Sequence, residues 1–286
     1  TLILALEKNK IKTVATQERF IHTFCTSFAN VILDTYYVTS EFAADFIKNS
    51  KYHDIKNLIP IGSYRSDYLS SFRKAIIPEE IFKAKDEGKK IIIALGYQSP
   101  NNWFESYTSL ETNWSSQMSF LEDLVRLSQS LKDTFIVIRY KTLDWITNEY
   151  FKQILKKINN CENIIISMNY KESFYAYKLC ANADLVIAKH TSLADECLAN
   201  EIPVLFYEYG HNLKKIMSDV FNYLSSGLMC YNFEELLERS NSLLFNNSSK
   251  LKNKITELNK KIYYVKEKGN VKNKIINNLE NLISTI

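Results

Sequence analysis

Five short apolar runs limit this chain more than any other feature: KIIIALGY (90–97), TFIVIRYK (134–141), NIIISMN (163–169), DLVIAK (184–189) and PVLFYE (203–208). Each is apolar at consecutive positions, not alternate ones, so both faces of the strand must be covered. Between them stand helical patterns at 118–131, 148–160, 172–183 and 192–200. Parallel neighbours need a crossover connection, and strand–helix alternation supplies one each time. The expectation is a parallel sheet wrapped by helices, with ligands at the carboxyl ends of its strands.

The first third repeats the pattern in shorter pieces. Residues 1–9 read as the end of a helix, IKTVAT (11–16) as a strand, RFIHTFCTSFAN (19–30) as a helix and TYYVTS (35–40) as a strand. Ser40 suits the N-cap of a helix over 41–50, whose Glu41 and Asp45 favour the positive end of the helix dipole. NLIPIGS (57–63) reads as another strand. The polar stretch 64–89, with Pro78 and Gly88, reads as a connection. After 211 the pattern is helical, at 211–225, 233–244, 248–266 and 271–285. The fold class expected is α/β, with two Rossmann-like, doubly wound parallel-sheet domains and a helical C-terminal tail. Residues 1–75 form a partial first domain, 76–89 a linker, 90–270 the second domain, and 271–286 a helix returning to the first. The opening TLILAL lacks Met and a basic leader, so the first domain is expected to be incomplete and the segment is not read as a signal peptide.

Composition narrows the class of partners. No apolar run approaches the length that crosses a bilayer. The five cysteines (Cys25, Cys161, Cys180, Cys197, Cys230) form no CxxC pair, which fits reduced, buried thiols in a cytoplasmic protein. The net charge of +4 is uneven: residues 250–274 hold nine lysines and two glutamates, and the rest of the chain holds 27 basic against 30 acidic residues. Leu251, Ile255, Leu258, Ile262 and Val265 recur at helical spacing among those lysines. The segment reads as a solvated helix face or as a contact with an anionic membrane surface. No aromatic platform or reader motif accompanies the lysines, so nucleic acid is not an expected partner.

The strand ends carry the candidate chemistry. Gly96 and Tyr97 follow the first run, where a glycine either makes a turn or lets backbone approach a ligand. Arg139 and Lys141 end the second, as snorkelling surface cations or as a phosphate grip. His190, Thr191 and Ser192 fill the seam between the fourth run and its helix. One hydroxyl there caps the helix, while the remaining groups and the free N–H groups of the first turn suit a phosphate. Glu196 shares a helix face with Ser192 and can take the two hydroxyls of a ribose, or stand as a solvated first-turn acid. Asp195 points elsewhere. In the first domain Gln17, Glu18, Arg19 and His22 follow a strand, and Glu18 is placed to act as a general base or as an ordinary surface charge.

The segment ADLVIAKHTSLADECLANEIPVLFYE resembles the nucleotide-binding segment of GT-B-fold glycosyltransferases, whose pattern is a strand, a hydroxyl-rich turn and S-x-x-x-E-A-L-x-x-G-x-P-V. Ser192, Glu196, Leu198, Pro203 and Val204 fall in register. Cys197 replaces the alanine, and Glu201 replaces the glycine, so that turn is expected to use a different geometry. IPIGSYRSDYL (59–69) is similar to the segment that ends the first domain in many of these enzymes. The resemblance, with FYEYGHN (206–212), implies an enzyme of surface polysaccharide or lipopolysaccharide assembly, peripheral on the inner face of the cell membrane. It would move a sugar from a UDP- or CMP-linked donor, CMP-Kdo among them, to a glycan or glycolipid. The donor would lie in the cleft between the domains, with Glu196 on the ribose and His190, Ser192, Arg139 and Lys141 on the leaving phosphate. His211, in the segment EYGHN, is a further candidate contact. No metal or cofactor is implied. A nucleotide-sugar 2-epimerase, a CDP-polyol phosphotransferase and a non-catalytic binding module are the alternatives.

Overall fold

The computed structural model describes residues 2–18, 31–50, 53–73, 77–97, 102, 113–169, 171–189, 191–209, 227–246, 250–266 and 270–284. Its strands are β1 (Val14–Thr16), β2 (Ile32–Val38), β3 (Asp54–Pro60), β4 (Lys90–Leu95), β5 (Thr134–Arg139), β6 (Ile164–Ile166), β7 (Leu185–Ala188), β8 (Val204–Tyr207) and β9 (Met229–Cys230). The helices are α1 (Leu2–Lys8), α2 (Glu41–Ser50), α3 (Ser66–Phe72), α4 (Glu79–Asp86), α5 (Trp114–Ser130), α6 (Lys152–Asn159), α7 (Tyr175–Ala181), α8 (Ser192–Ala199), α9 (Phe233–Phe245), α10 (Lys250–Ile262) and α11 (Val271–Ser284). All pairings are parallel, and the strands divide between two sheets. The expected α/β class with two parallel-sheet domains is what the chain forms.

The compact units divide the chain between Asp67 and Tyr68 and again between Ile255 and Thr256. In the first unit the sheet order is β1-β2-β3. Side chains alternate across β2, as strand geometry requires. Val38 packs with Ala43 and Ile47 of α2, with Ile55 and Leu58 beside them. Tyr37 points the other way, onto Ile61 and Val271 of α11. Asp67 caps α11, its carboxylate accepting from the N–H groups of Val271 (3.1 Å) and Lys272 (3.0 Å). The Ser40 cap is present: its hydroxyl accepts from Ala43 N–H at 3.1 Å.

The six-stranded sheet of the second unit runs β6-β5-β4-β7-β8-β9. Counted from β4 this is the order 3-2-1-4-5-6, the doubly wound arrangement in which the direction of winding reverses between β4 and β7. Ile91, Ile92, Ile93 and Ala94 of β4, and Leu185 to Ala188 of β7, are fully buried. Each isoleucine, leucine or valine among them contributes about 1.5–3 kcal/mol.

Several boundaries differ from expectation. The stretch 64–89 is not plain connection, because α3 and α4 lie within it, and Leu69, Ile81 and Ala84 are buried. Pro78 precedes the first turn of α4, where a missing N–H costs nothing. Helix α5 starts at Trp114, earlier than expected, because Asn113 forms a reciprocal capping box with Ser116. The two-residue β9, too short to show a period, interrupts the helical C-terminal third. The expected helices at 19–30 and 211–225 lie outside the described residues. Along α10, Ile255, Leu258 and Ile262 are 5–7% exposed. These three are thus packed within the protein, while Lys250, Lys254, Lys260 and Lys261 of the same helix are exposed. Among the described residues no helix is long and apolar enough to cross a membrane.

Glu201 supplies a clear correction. Its φ of 61° is the left-handed conformation that a glycine would adopt. Glu201 N–H bonds Leu198 O and Ile202 N–H bonds Cys197 O, both at 2.9 Å, which is a Schellman ending to α8. The turn therefore keeps the geometry of the glycine version, and Glu201 bears about 1–2 kcal/mol of strain.

In the first unit Asp34 joins all three strands. It accepts from Thr13 N–H (3.0 Å) and Thr13 Oγ1 (3.1 Å) beside β1, and from Lys56 Nζ (3.1 Å) of β3. The Thr13 amide and then Lys56 hold its carboxyl well below the usual carboxylate range. A lowered folded pKa stabilises at pH values above the unfolded value of about 3.9 and is lost as pH falls below it. Asp34→Asn should therefore lower stability by about 1.5–3 kcal/mol at pH 7. In denaturant titrations the gap from wild type should close progressively below about pH 4. A constant gap across that range would refute the assignment.

Candidate functional site

The switch between β4 and β7 directs attention to the residues that follow those strands and their neighbours. After β7, Thr191 is the N-cap of α8, and its hydroxyl accepts from Leu193 N–H at 3.1 Å. Its carbonyl accepts from Ala194 N–H (3.0 Å) and Asp195 N–H (3.3 Å). That leaves Ser192: among the described residues its N–H and its hydroxyl make no hydrogen bond, and the side chain is partly exposed. A first-turn amide and a hydroxyl thus stand together at the positive end of a helix, at the carboxyl edge of the sheet. One turn on, Glu196 is 1% exposed and Asp195 is 7% exposed. Both acids are drawn into the unit and neither is a solvated surface acid.

Gly96 after β4 has a packing reason. A Cβ there would lie 2.2 Å from Cζ of Tyr140, whose ring covers the glycine. Tyr140 is 1% exposed, its centroid is 4.8 Å from that of Trp145, and burial holds its hydroxyl protonated far above the usual range. Tyr97 next to it is exposed. The two cations at the end of β5 separate. Lys141 is exposed, whereas Arg139 is 7% exposed and donates to its own neighbour's carbonyl, Tyr140 O. Burial lowers the Arg139 pKa, opposed first by the charge of Glu80. Glu80 in turn accepts from Ser167 Oγ at 3.1 Å, and burial raises its carboxyl. Arg139 and Lys141 therefore do not form one grip.

Two residues that sequence reasoning did not single out as site residues stand at this edge. Lys189 follows β7 and Glu208 follows β8. Their charged atoms, Nζ and Oε1, lie 3.2 Å apart with side chains only 1% and 2% exposed. The Lys189 ammonium also lies 5.2 Å from the ring centroid of Tyr209, which stacks on Phe120 of α5 at 4.6 Å. The signal was present in the sequence: opposite charges directly follow two successive apolar runs, VIAK and LFYE. Nothing local said that the strands were neighbours.

In the first unit, Glu18 is more than half exposed and bonds Arg65 Nη2 at 3.1 Å. Beside it the Gln17 carboxamide oxygen accepts from Thr39 N–H (2.9 Å) and Thr39 Oγ1 (3.1 Å), tying the end of β1 to that of β2. His22, His190 and His211 lie outside the described residues.

Solved structures share this architecture. A protein from Listeria monocytogenes described as a UDP-N-acetylglucosamine 2-epimerase superposes with a TM-score of 0.65 at 15% identity, covering 99% of this chain and 71% of that one. The fold is GT-B-like. The UDP-N-acetylglucosamine 2-epimerase of Neisseria meningitidis, bound to UDP-N-acetylglucosamine, gives 0.59 at 13% identity, covering 97% and 72%. A variant of the wall teichoic acid polymerase TagF gives 0.61 at 14%, covering 97% and 69%. At such identities the likeness is one of fold. No protein-family model and no curated protein matches the chain.

The Gly96 contact gives a direct test. Gly96→Ala should destabilise by about 1–3 kcal/mol, because the Tyr140 ring cannot yield in a packed core. Adding Tyr140→Leu to make room should recover part of that loss in urea unfolding. An unchanged midpoint in Gly96→Ala would remove the packing account.

Proposed function

We propose that the protein is an enzyme of nucleotide-activated sugars, and that its six-stranded unit holds the nucleotide. The observation that carries this reading is Ser192. Among the described residues its N–H and hydroxyl make no hydrogen bond, at a capped helix start on the switch point of a doubly wound sheet, where a phosphate is the natural complement. In this reading Ser192 and His190 hold the leaving phosphate, and Glu196 takes the ribose hydroxyls. Exposed Lys141 is the cation of the β5 end that is open to an anion, and Tyr97 and His211 are proposed as further contacts. Preorganised donors of this kind stabilise the charge that develops on a departing nucleotide. The reaction proposed is glycosyl transfer from a UDP- or CMP-sugar, a Kdo donor among them, to a surface glycan or glycolipid. Glu18 is proposed as the base, its carboxylate oriented by Arg65. The cellular place proposed is the cytoplasm, on the inner face of the membrane.

Calorimetry with UDP, CMP and their sugar conjugates tests the site. At least one should bind saturably, Ser192→Ala should weaken it by about 0.5–1.5 kcal/mol, and Glu196→Gln by about 1.5–3 kcal/mol. Absence of binding by every one of these nucleotides would overturn the reading.

A second reading, 2-epimerisation of a nucleotide-sugar, is favoured by the likeness in fold to the Listeria and Neisseria proteins. The two separate in one assay. UDP-N-acetylglucosamine incubated without any acceptor should stay unchanged under the transfer reading. Under the epimerase reading it should convert to its C2 epimer, visible by proton NMR, and that outcome would replace the first.

A further inference from the structure

The Lys189–Glu208 pair raises a physical question. A buried ion pair loses the hydration of both ions, and well-packed apolar residues of similar volume usually serve stability as well or better. What the ions add is direction. Nζ and Oε1 meet at 3.2 Å, and the ammonium also lies over the Tyr209 ring. The pair spans the residues directly after β7 and β8, neighbours in the sheet through Ala188 and Phe206. Two residues beyond Lys189, Thr191 caps α8, and among the described residues the Ser192 amide and hydroxyl make no hydrogen bond.

We infer that Lys189 and Glu208 are positioning residues. Their buried ion pair braces the β7–α8 turn against the end of β8 and so fixes Ser192 where it can meet a phosphate. This rests on the nucleotide-binding reading above and adds the device that orients its phosphate contact. Apolar replacements would fill the volume and let the turn slide, because dispersion contacts have no preferred direction. A displacement of about 1 Å at a positioned group costs up to about a hundredfold in function, which is the size of effect such a brace controls.

Three variants test it: Lys189→Met with Glu208→Leu, which keeps the volume; Lys189→Glu with Glu208→Lys, which reverses the pair; and Lys189→Met alone. The single variant strands a buried carboxylate and should lower stability by about a hundredfold or more in the unfolding constant. The apolar double variant should fold with a midpoint near wild type. Hydrogen exchange of its Leu193, Ala194 and Asp195 amides, which bond the Thr191 cap, should nevertheless accelerate, and its affinity for UDP or CMP should fall by about tenfold or more. The reversed pair should restore both to near wild type, since a brace depends on the bond and not on which side holds the ammonium. Unaltered amide exchange in the apolar double variant overturns the brace, whatever the nucleotide result. Faster exchange with undiminished nucleotide affinity severs the brace from the site and also overturns the proposal. If the wild type binds neither nucleotide, while exchange accelerates in the apolar double variant and recovers in the reversed pair, the brace stands and the nucleotide reading falls.

Discussion

The pairing of β4 with β7 is the constraint on which the larger unit depends. The two strands are separated in sequence by two complete strand–helix units, yet they lie side by side from Ile92↔Leu185 to Leu95↔Ala188. Asp184 sets the register. Its carboxylate accepts from Ile91 N–H at 2.9 Å, its own N–H bonds Ile91 O at 2.9 Å, and it pairs with Lys90 at 3.2 Å. Because every strand runs parallel, all carboxyl ends share one edge. The return from β6 to β7 places the reversal of winding beside β4, and the polar residues after these strands gather there as a consequence.

That edge is built from two kinds of polar residue. Some are consumed by structure: Thr191 caps α8, Arg139 faces Glu80 in the interior, and Gly96 yields its space to Tyr140. Others stay open to solvent: Ser192 is partly exposed and Lys141 exposed. Buried polar groups are retained only when their partners are in place. The interior pair Lys189–Glu208 obeys the rule with each residue drawn from a different strand end. The same economy governs the smaller sheet, where Asp34 and the Gln17 carboxamide each join neighbouring strands through several hydrogen bonds.

Much of the fold was legible because its signals are local. Consecutive apolar residues marked β4, β5, β7 and β8. Ser40 marked the start of α2, and helical spacing found α5, α7, α8 and α9. The shortfalls have local causes too. Strand β2 begins at Ile32, before the aromatic run that drew attention to Tyr36 and Tyr37. Helix α4 was hidden in a charged stretch, where only Ile81 and Ala84 show the buried face. At Glu201 the residue type argued against a left-handed turn, and the packing of Ile202 with the two closing bonds prevailed over that preference.

The candidate site divides along the same line. By itself the sequence determined that Thr191 and Ser192 sit at a strand–helix seam with Glu196 one turn on, that one hydroxyl would be spent on a cap, and that a parallel α/β fold is expected to hold ligands at such seams. These follow from residue types and short spacings. Only the tertiary structure decided which hydroxyl was the cap, that Arg139 turns inward while Lys141 stays outside, and that Lys189 meets Glu208. Those outcomes depend on strand order and on where side chains end up once strands distant in sequence become neighbours, and no local pattern encodes that adjacency.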